Sequence, residues 1–381
     1  MFKFVSFVPS CLMLFVVSES VMANKVEDET SSSKDFVEVA ITPQFQNSLN
    51  SGGNTANYEF DFLGLQTLHR SAGAFGDTRL AWWVIRNETI GNTPTGEFSD
   101  DAGLLWNTND GDAPDPSNFL GVLVIEQYFI DEALKVSAGK VYPGNDLAVS
   151  DYTGDDRGTF MSEVIASDIA GRYFNAIGLG SVVTYRQNNW FVTGVVSDAT
   201  AEDDFIDVSS FKDGHFLYAV ELGFSPDNEA GNSVVTVTPY SIDATAEQKK
   251  ETGVVLAYTI EYGKDAEYAN FARYTWRNGG DGKTQTANAH GLKTDNAGFI
   301  GWAWNRPFSR ENQQLSAALM YGSATDYQRQ QGMNNQYGVE SYWRFSPTPW
   351  FNISPSLQLL KNADDELETV VGLRFKLHYG I

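Results

Sequence analysis

The sequence predicts an all-β chain closed into a transmembrane antiparallel β-barrel of about 16 strands, with short periplasmic turns and longer extracellular loops. Three observations predict it. The chain opens on an export signal, no later stretch is long and apolar enough for a spanning helix, and segment after segment alternates apolar and polar residues with a period of two.

Basic Lys3 precedes an apolar run from Phe4 to Val17, interrupted by Pro9 and Cys11. Ser18 to Ala23 follow, with Val21 and Ala23 at the positions a signal peptidase reads, so residues 1–23 are expected to be a signal peptide cleaved after Ala23. Acylation at Cys11 is the alternative, but the apolar run before it is short and broken by Pro9. Cleavage removes the only cysteine, so the mature chain has no disulfide and depends on backbone pairing and burial. Residues 24–35, NKVEDETSSSKD, lack periodicity and read as a flexible acidic leader; residues 36–381 are assigned to the barrel.

A spanning helix needs roughly 18 or more apolar residues, and the rest of the chain offers none. An exported chain still reaches a membrane if its sheet closes, because closure pairs every backbone group. The net charge of −23 survives signal removal, since the signal holds one base and one acid. So acidic a chain repels nucleic-acid phosphates, which excludes DNA and RNA as partners. The acids gather at Asp100–Asp101, Asp110–Asp115, Asp155–Asp156, Glu202–Asp204 and Asp364–Glu366. These read as solvated loops; divalent cations bridging them to anionic lipid headgroups is the sharper alternative.

Strand patterns begin at Phe36, where Val37, Val39 and Ile41 alternate with Glu38 and Ala40, and continue at Tyr58–Leu68 and Thr78–Ile85. Adjacent Trp82 and Trp83 must face opposite sides, and an interfacial aromatic girdle accommodates the outward one. Gly91–Asn118 reads as an exposed loop, and Leu120–Phe129 and Ala133–Val141 as a hairpin turned by Ile130–Glu132. Tyr142–Ala170 has little alternation, which fits either an exposed loop or one folded into a channel mouth. Further strands are expected at Ile177–Arg186, Trp190–Ser197, Phe216–Phe224, Ser233–Ile242, Gly253–Tyr262, Ala269–Arg277, Phe299–Trp304 and Gln314–Tyr321.

The last third is clearest. Gln336–Phe345 carries Tyr337, Val339, Trp343 and Phe345 on one parity; Trp350–Leu360 returns with Phe351, Ile353, Leu357 and Leu359 outward and Asn352, Ser354, Ser356 and Gln358 inward. Leu367–Tyr379 closes the set, with Leu373, Phe375, Leu377 and Tyr379 opposite Gly372, Arg374, Lys376 and His378.

Several stretches resemble the carbohydrate-selective porins related to the glucose porin OprB. The block YGVESYWRF, TPWFNISPSLQLL, an acidic loop and VVGLRFKL is similar to that family's closing three strands, including Glu340, Pro355, Gln358 and the Gly372, Leu373, Arg374 triplet. VIEQYFIDEALKVSAGK (Val124–Lys140) is similar to its hairpin and GHFLYAVELGF (Gly214–Phe224) to a mid-barrel strand. The resemblance implies a 16-stranded homotrimer in the Gram-negative outer membrane, set among lipids including lipopolysaccharide, passing mono- or small oligosaccharides by diffusion. Two features depart from it: residues Gly380 and Ile381 follow the last aromatic, where members usually end on one, and the net charge is strongly negative.

No GxSxG, HExxH or Walker pattern occurs, and His69, His215, His290 and His378 have no ligand spacing, so neither enzymatic activity nor a metal or cofactor is expected. Among 49 carboxylates no pair sits in a glycosidase context. The wet parity instead nominates Glu126, Glu340, Arg344, Arg374 and Lys376 as lumen residues along a solute path, with Lys140 and Arg172 as weaker candidates. Charged groups there would orient sugar hydroxyls while aromatics stack on sugar rings; alternatively they pair with one another and hold the barrel's shape. A general or differently selective porin is the nearest alternative function, and a soluble exported β-protein that binds or hydrolyses sugars is the alternative from another class.

Overall fold

The computed structural model describes residues 35–71, 74–111, 117–171, 173–174, 176–200, 210–226, 231–244, 249–279 and 293–380. The expected signal, nearly all of the leader, Arg172, residues 112–115, Glu202–Asp204, His290 and Ile381 lie outside the described residues.

Sixteen strands run in chain order: β1 (Phe36–Ser48), β2 (Asn54–His69), β3 (Phe75–Thr89), β4 (Ser117–Phe129), β5 (Leu134–Val141), β6 (Gly178–Gln187), β7 (Trp190–Asp198), β8 (Phe216–Phe224), β9 (Ser233–Ile242), β10 (Glu251–Tyr262), β11 (Tyr268–Gly279), β12 (Thr294–Asn305), β13 (Gln313–Ala324), β14 (Gln336–Thr348), β15 (Phe351–Lys361) and β16 (Leu367–Gly380). Each pairs antiparallel with its sequence neighbours, and β16 pairs back onto β1, with Glu38 opposite Gly380 and Phe45 opposite Leu373. Closure leaves no strand with an unpaired edge, which hydrocarbon requires of an extended chain.

The connections are asymmetric. At one end lie 70–74, 130–133, 188–189, 225–232, 263–267, 306–312 and 349–350; at the other lie 49–53, 90–116, 142–177, 199–215, 243–250, 280–293, 325–335 and 362–366. The first set is the short-turn end, the second the long-loop end. Among the described residues no helix is long and apolar enough to cross a membrane, and the strands are the elements that do so.

Two-residue alternation sets the faces. On β16, Leu367, Val371, Leu373, Leu377 and Tyr379 are exposed while Glu368, Val370 and Arg374 are buried; on β1, Val39, Ile41 and Phe45 are exposed while Thr42, Gln44 and Gln46 are buried. The paired tryptophans divide as their adjacency demands. Trp82 packs outside with Phe62, ring centroids 6.2 Å apart, and Trp83 stacks inside on Tyr142 at 5.7 Å. Outward aromatics collect at the short-turn end, with Trp190 against Phe224 (4.6 Å), Phe75 against Phe129 (5.8 Å) and Tyr262 against Tyr268 (5.6 Å). This is the belt that amphipathic rings form at a membrane boundary.

The inner face is wet over only part of the circumference. Val182, Val195, Leu217, Val255, Phe271, Phe299, Ala318 and Met320 point inward and are buried. An apolar inner wall needs a cover, and two long connections supply it by folding into the barrel. Each carries a short α-helix, α1 (Thr95–Asp101) in the connection 90–116 and α2 (Glu163–Ala166) in 142–177, the latter also holding a 3-10 turn at Pro143–Asn145.

Candidate functional site

The in-folded connections are fastened by side chains of the wall in two ways. Apolar groups bury against apolar strands: Phe160 meets Tyr342 edge-on at 4.9 Å, Tyr152 stacks on Phe271 at 5.5 Å, and Tyr173 lies 5.1 Å from Tyr240. Polar groups pair the loop backbone, which has no ladder of its own inside a barrel. Wall acids accept from loop N–H groups, as Glu340 does from Met161 (2.8 Å) and Ser162 (3.0 Å) and Glu221 from Ala148 (2.6 Å). Wall bases and amides donate to loop carbonyls: Arg273 to Val164 (3.1 Å), Arg344 to Gly158 (3.1 Å), Arg374 to Asp156, and both Gln46 (2.8 Å) and Gln358 (2.7 Å) to Thr108.

The tip of the longer loop, Gly154–Gly158, sets the geometry of the site. Arg157 donates through Nε to Asp155 Oδ1 (2.7 Å) and through Nη1 to Asp61 Oδ1 (2.9 Å), and Glu59 Oε1 lies 3.5 Å from Nε. Its guanidinium sits 4.6 Å over the ring of Trp83, whose Nε1 donates to Asp61 (2.7 Å). Gln44 donates to Asp156 Oδ2 (2.8 Å). A cluster of charge thus lines one arc of the inner wall, from Asp61 and Glu59 on β2 and Gln44 on β1 to Arg374 on the adjoining β16 and Arg344 on β14, with the loop tip seated against it.

Burial pushes the Asp155 carboxyl up, but Arg157, Lys376 and Arg374 outweigh it and hold the group below the ordinary aspartate range. At Asp156 burial prevails over Arg157, and its carboxyl is raised. Because Asp155 is depressed in the folded chain, its contribution to stability is complete above the unfolded value and fades only as pH falls through the lower folded value. Asp155→Asn should therefore lower the temperature at which unheated protein loses its compact gel mobility by a constant gap between pH 7 and about pH 5, a gap that closes in stronger acid. A gap that closes above pH 5 contradicts the pairing.

The candidate residues fall into two groups. Glu340, Arg344 and Arg374 converge on the loop tip, and Lys376 lies within electrostatic reach of Asp155 and Glu38. Glu340 (0% exposed) and Arg374 (1%) are turned to the loop, away from open water. Glu126 stands apart near the short-turn end, accepting from Tyr128 (3.2 Å) and lying 3.8 Å from Lys135, while Lys140 is buried on β5. The pair Asp155–Asp156, expected in a solvated loop, is inside the barrel and largely buried, because the loop carrying it turns inward.

Glu59, Asp61, Asp155 and Arg157 escaped nomination. A signal for the first two existed: they occupy the parity opposite Phe60 and Phe62 in one strand pattern, and carboxylates there have to face inward. For the loop, the run Asp155-Asp156-Arg157 between Gly154 and Gly158 was visible, but its position was not. Among the described residues no group of three or more His, Cys, Asp or Glu side chains is placed to hold a metal ion.

A closed barrel of 16 strands with a long connection folded inside it against a charged arc of the wall is the architecture of a porin. The high-pH structure of OprB from Pseudomonas putida matches this chain with a TM-score of 0.73 over 91% of this chain and 94% of that one, at 16% identity. The low-pH structure of the same protein matches with a TM-score of 0.56 over 91% and 93%, at 14% identity. No protein-family model matches the sequence, and no curated protein does. At such identities the likeness is one of fold.

Proposed function

We propose that this chain is an outer-membrane porin, a passive diffusion channel without enzymatic activity, and that mono- or small oligosaccharides are its solutes. One observation carries the channel reading: the loop 142–177 is fastened inside the closed barrel against its apolar wall, and its tip holds Arg157 against Asp61 and Trp83, so the interior is narrowed by charged and aromatic groups. A narrowed passage bearing such groups at fixed positions screens solutes by size and polarity. The sugar reading rests on the sequence resemblance, supported by a site rich in groups that hydrogen-bond hydroxyls: Glu59, Asp155, Arg157 and Lys376. The N-terminal pattern of Lys3, the apolar run and Ala23 supports export by residues 1–23, and the resemblance supports assembly as a homotrimer among lipids that include lipopolysaccharide.

The purified protein in a planar bilayer is expected to open in discrete steps, with conductance reduced by graded sugars. Failure to open at any concentration overturns the channel. Openings indifferent to every sugar overturn the carbohydrate reading and leave a general porin.

A further inference from the structure

Charged side chains of the barrel interior repeat one arrangement at three places. Near the short-turn end Arg79 lies between Asp77 (3.6 Å) and Glu132 (3.7 Å). Beside it, on β5, Lys135 stands between Asp146 and Glu126, the residue opposite Arg79 in the β3–β4 register, 3.8 Å from each. At the loop tip Arg157 is held by Asp155 (2.7 Å), Asp61 (2.9 Å) and Glu59 (3.5 Å). In every case one base is enclosed by two or three acidic side chains, so acids outnumber bases at each place.

Exposure sharpens the imbalance around Arg79, though not around Lys135, which at 28% is more exposed than Glu126 (14%) or Asp146 (23%). Arg79 keeps only 4% of its side chain exposed, whereas its partners Asp77 and Glu132 keep 14% and 32%. Arg157 faces Trp83 as well as its three acids, so a passing anion would have to compete with groups already in place. The other bases at the tip do not reverse the sum. Arg374 is buried against the Asp156 carbonyl, with the Asp156 carboxylate beside it; Lys376 has Glu38 within reach; Arg344 adds one positive charge, donated to Gly158. Charges of one sign along a narrow aqueous path with low-dielectric walls raise the local concentration of the opposite ion.

We infer that this passage prefers cations over anions, and that the carboxylates enclosing Arg79, Lys135 and Arg157 set that preference. The inference rests on the channel reading and adds to it the ionic specificity of the same path. Neutral sugars are compatible with it; negatively charged sugar derivatives are disfavoured.

The test is the reversal potential across a planar bilayer holding the full-length barrel in a KCl gradient. The wild type should show a K+ to Cl− permeability ratio above unity. Glu126→Gln and Glu132→Gln should each lower the ratio, their combination further, and Lys135→Gln should raise it. Reversal potential does not depend on the number of channels inserted, and compact migration of unheated protein confirms that each variant is folded. A wild-type ratio at or below unity, or a ratio unmoved by the double variant, overturns the inference. Sugar block recorded in the same membranes separates the readings: cation preference without block removes only the carbohydrate reading, and absence of openings removes both.

Discussion

Glu340→Ala is expected to raise single-channel conductance and its noise while leaving the barrel closed. The Glu340 carboxylate is fully buried and spends both oxygens on the backbone N–H groups of Met161 and Ser162. Alanine leaves those two donors unpaired, at roughly 1–3 kcal/mol each, so the segment beside the loop tip gains alternative positions. Pairing of β14 with β13 and β15 runs through the backbone and does not use this side chain. Glu340→Gln keeps the volume and one acceptor and should fall between wild type and alanine. Traces of Glu340→Ala indistinguishable from wild type would mean that the packing of Phe160 and Ile165 and the bonds from Arg273, Arg344 and Arg374 fix the loop without Glu340.

The second large effect concerns the outer wall. Ile300 sits at the centre of β12, 53% exposed, between Ala272 on β11 and Leu319 on β13. Arginine at the hydrocarbon midplane costs about 2–4 kcal/mol, but only about 0–1 kcal/mol near the interface. Ile300→Arg should therefore sharply reduce the yield of heat-resistant, compactly migrating barrel. Tyr262→Arg, in the aromatic belt at the end of β10, should be nearly harmless. Equal tolerance of both would show that this face does not meet lipid and would revive the soluble alternative.

The strands were legible because half-buried sheet imprints a period of two on the sequence. β16 was expected from Leu367 to Tyr379 and runs from Leu367 to Gly380. In β1 the alternation of the sequence is clear from Phe36 to Ile41, yet the strand continues to Ser48, because Thr42, Gln44 and Gln46 are polar residues of an inner face. Alternation also blurred where both faces are apolar, as at Ala318, Leu319 and Met320.

The site was legible by halves. Parity directs Arg344, Arg374 and Glu340 inward, but it stops at the wall: whether water or a folded loop meets those groups depends on contacts distant in sequence, such as Glu340 with Met161. The loop tip follows no period at all. Its position is set by hydrogen bonds to β1, β2, β14 and β16, which a local reading of Asp155-Asp156-Arg157 does not contain.

The seam between β1 and β16 bears on how the molecule is made. Phe36–Ser48 and Leu367–Gly380 are hydrogen-bonded to each other, while every other pairing joins strands adjacent in sequence. Hairpins therefore form from local contacts, but the last join requires the two ends of the sheet to meet, the slowest kind of contact for a chain to find. Until then two bare edges coexist, each able to pair with an edge on another molecule. The vulnerable moment in this protein's life is the interval before its first and last strands find each other.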